Sequence, residues 1–269
     1  MTKILGYCAL ALLVVSNSAC SNQSGHFSNS NMAAKEAKFN QSRSQAVVAH
    51  MSLETMFTDA KVRALASAAA DGDIDEIDAL VAGGVDVNAR GTRNATPLFW
   101  SMKSLAGYQK LLALGADANV VFDDGGSVIH WAMKFDDDAF IESALRHGGD
   151  ANLVGGMLKN RPIFKLNGSA SKLDILLKYG ADINGRTQMI GPASGKIIGN
   201  TALIEAAGSN DFKTVQLLLD KGADPSLDSN NGVSFIGELH SAKKSFRPGS
   251  NSAKAVDKIL LWLKVHKAL

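Results

Sequence analysis

The 269-residue chain has only two cysteines, Cys8 and Cys20, so beyond its first twenty positions there is no pair from which to build a disulfide. Stability over that length has to come from packing. Charge of one sign is also lacking: 28 Lys and Arg stand against 26 Asp and Glu, and the balance stays near neutral once Lys3 is set aside with the leader described below. That balance has no basic stripe of the kind a nucleic-acid binder carries. Catalytic signatures are missing as well, with no His-Glu-x-x-His, no paired-cysteine zinc motif and no Gly-x-Ser-x-Gly elbow. The run from Gly191 to Ile197 has one residue too few between its glycines for a phosphate loop, and no Ser or Thr follows Lys196. Asp71-Gly72-Asp73 and Asp136-Asp137-Asp138 read as solvated, helix-capping loops rather than cation sites. These absences argue against an enzyme and assign no residue to a catalytic, cofactor or metal role.

A membrane-spanning run is lacking too. The apolar stretch from Ile4 to Val15 is too short to cross a bilayer, but after Lys3 it suits the hydrophobic region of a secretory signal. Ser18-Ala19-Cys20 then resembles the end of a bacterial lipobox, although Asn17 stands where an apolar residue usually precedes the small pair. The resemblance implies removal of residues 1–19, acylation of Cys20 and, with Ser21 rather than Asp next, sorting to the periplasmic side of the outer membrane. A soluble periplasmic protein is the alternative. Residues 20–52, rich in Ser, Asn, Gln, Ala and Lys, read as a flexible tether.

What the chain does have is an internal repeat. Gly83-Gly84-Val85-Asp86-Val87-Asn88 recurs as Gly115-Ala116-Asp117-Ala118-Asn119, Gly148-Gly149-Asp150-Ala151-Asn152, Gly180-Ala181-Asp182-Ile183-Asn184 and Gly222-Ala223-Asp224-Pro225-Ser226. The aspartates Asp86, Asp117, Asp150 and Asp182 follow one another at nearly equal steps, and the step to Asp224 is longer. A unit of about 33 residues therefore recurs, once with an insertion. Before each glycine lie apolar residues at helical spacing, such as Leu111, Leu112 and Leu114 or Val215, Leu218 and Leu219. Glycine ends such a helix in the left-handed conformation, and Asp and Asn then bond the turning backbone. A second signature marks the next helix start: Thr96-Pro97-Leu98-Phe99-Trp100, Ser127-Val128-Ile129-His130-Trp131, Arg161-Pro162-Ile163-Phe164 and Thr201-Ala202-Leu203-Ile204. The unit is a turn or hairpin, a helix, a short loop and a second helix.

These residues resemble ankyrin repeats, whose Thr-Pro-Leu-His start and Gly-Ala-Asp-x-Asn finish they match. The resemblance implies an all-α solenoid of helix-turn-helix units with hairpin or turn fingers, five to six repeats counting caps. The array is placed at 53–234 and a C-terminal helical cap at 235–269. His130 alone keeps the motif histidine, which in the family ties adjacent loops together.

In an ankyrin array, binding falls on finger tips and on the first helices. The matching residues here are Arg90, Arg93, Lys103, Phe122, Asp123, Asp124, Trp131, Lys134, Met157 and Lys159. In the inserted finger at 185–199 they are Arg186, Met189, Ile190, Lys196, Ile197 and Ile198. Met189 and Ile190 can pair with Ile197 and Ile198 across a longer hairpin that offers an apolar patch, or the insertion is neutral. Trp100 and Trp131 either fill grooves between helices or face a partner. Taken together, the signal, the lipobox and the array resemble ankyrin lipoproteins that act as immunity proteins against type VI secretion effectors such as lipases. The implied partners are a protein, such as a toxic effector, and the membrane through acylated Cys20, with no nucleic acid and a monomer until the partner is engaged. The alternative is a constitutive periplasmic scaffold or a stress-related partner of an envelope enzyme such as catalase.

Overall fold

The computed structural model describes residues 48–156, 159–191 and 195–266. The leader 1–19, Cys20, most of the 20–52 tether and Met157 lie outside the described residues. Among the described residues no helix is long and apolar enough to cross a membrane.

A short helix α1 (Leu53–Met56) precedes α2 (Ala60–Asp71) and α3 (Ile74–Ala82). Helix pairs then follow: α4 (Pro97–Trp100) with α5 (Leu105–Ala113), and α6 (Val128–Ala132) with α7 (Ala139–Arg146). A 3-10 turn, Pro162–Lys165, stands before α8 (Ala170–Lys178). The series closes with α9 (Ala202–Gly208) and α10 (Phe212–Asp220), then α11 (Phe235–Ser245) and α12 (Asn251–Val265). Every repeat thus contributes a first helix or turn, a second helix and, between repeats, a finger.

The helix starts are set by side-chain caps. Thr96, Ser127, Thr201 and Ser234 each accept a hydrogen bond from the backbone N–H three residues on, at 3.0–3.3 Å. Asp73 caps α3 in the same way by accepting from Glu76 N–H at 3.1 Å, which gives that acidic loop a structural role. The third repeat departs from the pattern. Arg161 stands where the others have Ser or Thr and makes no cap bond, and only a 3-10 turn forms where the sequence pattern predicts a helix.

The second helices end alike. Gly84, Gly115, Gly148, Gly180 and Gly222 have φ between +83° and +90°. The next residue's N–H reaches back to a carbonyl in the last turn of the helix, as from Ala116 to Leu111 and from Ala223 to Leu218, both at 2.9 Å.

One continuous core runs through the stack. Leu65, Ile77, Leu98, Leu111, Ile129, Ile141, Ile163, Leu173, Leu203, Val215, Phe235 and Val256 are buried in it in chain order. Two layers approach closely at Gly107 on α5, where an added Cβ would stand 1.8 Å from the Ala69 carbonyl oxygen on α2. No other residue type fits there. At the far end α12 closes the stack with Val256, Ile259 and Leu263 and turns Leu261 and Val265 outward.

Candidate partner-binding surface

The fingers are held in line by the asparagines that end each repeat signature. Asn88 donates from Nδ2 to the Gly115 carbonyl at 2.9 Å, and its Oδ1 accepts from Asp117 N–H at 2.8 Å. Asn119 makes the same two bonds to Gly148 and Asp150, and Asn152 makes them to Gly180 and Asp182, all at 2.7–2.9 Å. Asn184 continues the series by accepting from Asp224 N–H at 2.9 Å. The aspartates bond their own turns, each accepting from the N–H two residues on. The sequence pattern places both residues in the turn; the asparagine's actual work is to join one repeat to the next.

Farther out, backbone bonds link finger to finger. Asp123 N–H donates to Arg93 C=O at 3.1 Å, Gly156 N–H to Gly125 C=O, Gln188 N–H to Lys159 C=O at 3.0 Å, and Asn230 N–H to Ile198 C=O at 2.9 Å. Successive tips are therefore fixed relative to each other, which limits the entropy a partner must remove on docking.

The inserted finger is a hairpin. Arg186 bridges to Thr201 and Ile190 to Ile197. Bonds from Ile198 N–H to Met189 C=O at 2.9 Å and from Gly191 N–H to Lys196 C=O at 2.8 Å continue the register. Ile190 and Ile197 stand opposite each other and are 62% and 48% exposed. Lys196, Ile197 and Ile198, with Asn230 and Asn231, line a shallow depression of about 550 Å³ beside the tip.

Several residues assigned to a partner from sequence have other work. Phe122 is buried in the core, 5.1 Å from the Phe99 ring, because its finger folds back onto α4. Asp124 is half-buried with both oxygens engaged, Oδ1 accepting from Gly126 N–H and Oδ2 from Val48 N–H, each at 2.8 Å. Arg186 clamps the hairpin base, donating from Nη1 to Gly199 C=O at 2.7 Å and Asp228 C=O at 2.6 Å. Arg90, Arg93, Asp123, Lys159 and Lys196 are exposed on the finger side, while Met189 and Ile198 are half-buried. Arg90 lies 3.7 Å from Asp117.

On the first helices, Trp131 is half-buried 5.8 Å from Phe99, and Lys134 Nζ lies 3.9 Å from the Trp131 ring centre. The same arrangement occurs one repeat earlier, with exposed Lys103 3.2 Å over half-buried Trp100. Lys103 and Lys134 are both positions that the ankyrin resemblance assigns to a partner; Lys165, half-buried in the next repeat, is not.

His130 is buried between two fixed partners. The Asn160 carbonyl, 2.9 Å from Nε2, can only accept, so Nε2 carries the proton and Nδ1 accepts from Ser127 Oγ at 2.7 Å. Burial holds its pKa below the usual 6.5, more than the Asn160 bond raises it, and the charge of Lys165 adds to the lowering. An unfolded chain therefore takes up a proton that folded His130 refuses. Stability contributed here is intact above about pH 6.5 and falls as the pH drops from there toward the folded value. Urea midpoints of wild type and His130→Phe, measured from pH 7.5 to 5, are expected to converge on acidification, because Phe, the residue at positions 99 and 164, does not titrate.

Similarity to known proteins follows this geometry. The ankyrin repeat family model matches residues 198–230. An ankyrin repeat domain from Acinetobacter baumannii AYE is 22% identical, with a TM-score of 0.58, over 74% of this chain and 97% of that one. The chain has the ankyrin-repeat fold. A chain in the Bdellovibrio bacteriovorus complex of the predatory endopeptidase Bd0816 with immunity protein Bd3460 is 21% identical, with a TM-score of 0.56, over 72% of this chain and 97% of that one. Ankyrin repeat protein nuc-2 of Neurospora crassa is 30% identical over 160 residues, 58% of this chain but only 14% of that protein. Within the ankyrin frame, the hairpin at 186–201 lengthens one repeat of this chain, whose signatures otherwise recur at nearly constant spacing.

Proposed function

We propose that this protein is an exported, lipid-anchored ankyrin module on the periplasmic side of the outer membrane, where it binds and sterically blocks a toxic secretion-system effector such as a lipase. The observation that carries the reading is the hairpin at 186–201, with Ile190 and Ile197 held outward at its tip and Arg186 fastening its base. An exposed isoleucine pair on a stiff support costs solvation in the free protein and is recovered when a partner covers it. The signal-like leader and Ser18-Ala19-Cys20 support export and acylation, and the likeness to a chain from an endopeptidase–immunity complex supports an inhibitory role. Inhibition by an ankyrin finger needs no chemistry from the inhibitor; the tip has only to occupy the entrance to the effector's active site.

Three measurements together test this. Radiolabelled palmitate is expected to label wild type and not Cys20→Ser. Affinity capture on the wild-type protein should recover a hydrolytic effector encoded beside it, and deleting the gene should sensitise cells to that effector. Absence of label overturns the anchor, and absence of both capture and sensitivity overturns the immunity role.

A further inference from the structure

The first-helix face beside the fingers carries charge in an uneven order. Reading the position after the motif histidine from repeat to repeat gives Trp100, Trp131, Lys165, Glu205 and Glu238, and three residues beyond the two tryptophans stand Lys103 and Lys134. Both lysines lie over the tryptophan of their own turn. Burial lowers the Lys134 pKa, and the charge of Lys165 adds to the lowering. Burial lowers Lys103 as well, partly opposed by Asp71. Among the described residues, none of the three lysines forms an ion pair with a carboxylate, whereas lysines of the second helices do, Lys110 with Asp78 and Lys178 with Glu142. Lys103 and Lys134 lie on aromatic rings and are partly dehydrated, and none of the three lysines is neutralised by a carboxylate in contact, which favours an acidic partner.

We propose that Trp100, Lys103, Trp131, Lys134 and Lys165 form a docking strip for an extended acidic segment of a partner protein. This rests on the reading of the chain as a protein-binding module and adds the partner's chemistry. Packed helices lie about 8–10 Å apart, and an extended chain in the polyproline II form advances about 3.1 Å per residue with three residues per turn, so lysines on successive repeats match a carboxylate at every third residue, all on one face. The residues between them lay their apolar atoms on the indole rings. Charge also limits the strip's length, for Asp71 adjoins Lys103 at one end and Glu205 follows Lys165 at the other. A long uniform polyanion would have to run over those carboxylates, whereas a short protein segment need not. The strip thus favours acidic protein over nucleic acid.

The test titrates the purified protein with the nonapeptide (Glu-Gly-Thr)₃ at low salt and follows tryptophan emission and heat. Saturable binding is expected, absent with (Lys-Gly-Thr)₃. Each reversal turns an attraction into a repulsion of similar size, so the double variant Lys134→Glu/Lys165→Glu should bind about tenfold more weakly. Lys254→Glu/Lys258→Glu, on the exposed side of α12, is the charge-matched control and should bind as wild type. Should the double reversal fail to fold, Lys134→Gln/Lys165→Gln replaces it, with a smaller loss in the same direction. No saturable binding, equal binding by the double variant, or tighter binding of a short oligothymidylate would each overturn the proposal. Capture of an effector by a protein that ignores the peptide would sink the strip alone and leave the immunity reading standing.

Discussion

Gly107→Ala is expected to detach the N-terminal repeat from the rest of the stack. The added methyl group would have to sit 1.8 Å from the Ala69 carbonyl oxygen, and the obstacle is backbone, which cannot swing aside as a side chain can. Either α5 withdraws from α2, exposing the buried pair Leu65 and Leu111, or the carbonyl is pushed off its helical geometry. Overpacking of this kind costs about 1–3 kcal/mol when side chains can adjust, and here the upper end is expected. At about 2–4 °C per kcal/mol for a chain of this size, the midpoint should fall by roughly 6–12 °C. Because repeats contact only their neighbours, the loss concentrates at one interface. Hydrogen exchange should therefore accelerate in residues 53–82 well before the α9 to α12 region. Gly115→Ala separates this from backbone strain, since its Cβ would meet nothing within 4 Å but its φ is +90°. That variant should lose only about 1–2 kcal/mol and keep a single transition. Equal losses from the two substitutions would show that the inter-layer contact is not what matters at Gly107.

The contrast between these glycines shows what the sequence could and could not tell. Gly115 is legible because its signature is local: an apolar run stops, and an aspartate and an asparagine follow at once. The caps at Thr96, Ser127 and Thr201 are legible for the same reason. Gly107 sits inside a helix with no local mark, and its constraint comes from the Ala69 carbonyl, on a helix of the preceding repeat. The asparagine bridges are equally hidden, since Asn88 meets Gly115 across 27 residues. In the candidate binding surface, position in the repeat indicates which residues belong to a finger but not which side chain turns inward. Phe122 was misassigned on that account: tip residues alternate between solvent and core, and an aromatic near α4 gains more by packing on Phe99. Arg186 and Asp124 also bond backbone, Arg186 at the base of its hairpin and Asp124 at Gly126 and Val48, which repeat position alone does not reveal. Lys165 was overlooked because the third repeat begins at uncapped Arg161, where the motif is weakest.

The second large effect is expected at the long hairpin. Ile190→Asp/Ile197→Asp should weaken binding of a captured effector at least about a hundredfold, since central apolar anchors at interfaces contribute about 2 kcal/mol or more each. Folding should barely register the change. Both side chains are already open to solvent, and the backbone bonds at Met189 and Gly191 and the Arg186 clamp do not involve them. Phe122→Ala supplies the opposite pattern: it empties a core site, so its midpoint should fall by several degrees while the affinity of the folded fraction holds. The two variants together separate a contact from a support, which a single loss of binding cannot do. If the double aspartate variant captures the effector as well as wild type does, the hairpin tip is not the contact, and an inhibitor acting through it is excluded even if the repeats themselves still bind. If Phe122→Ala loses affinity without losing stability, the finger before α6 carries the contact instead, and the 186–201 insertion is a neutral lengthening of one repeat.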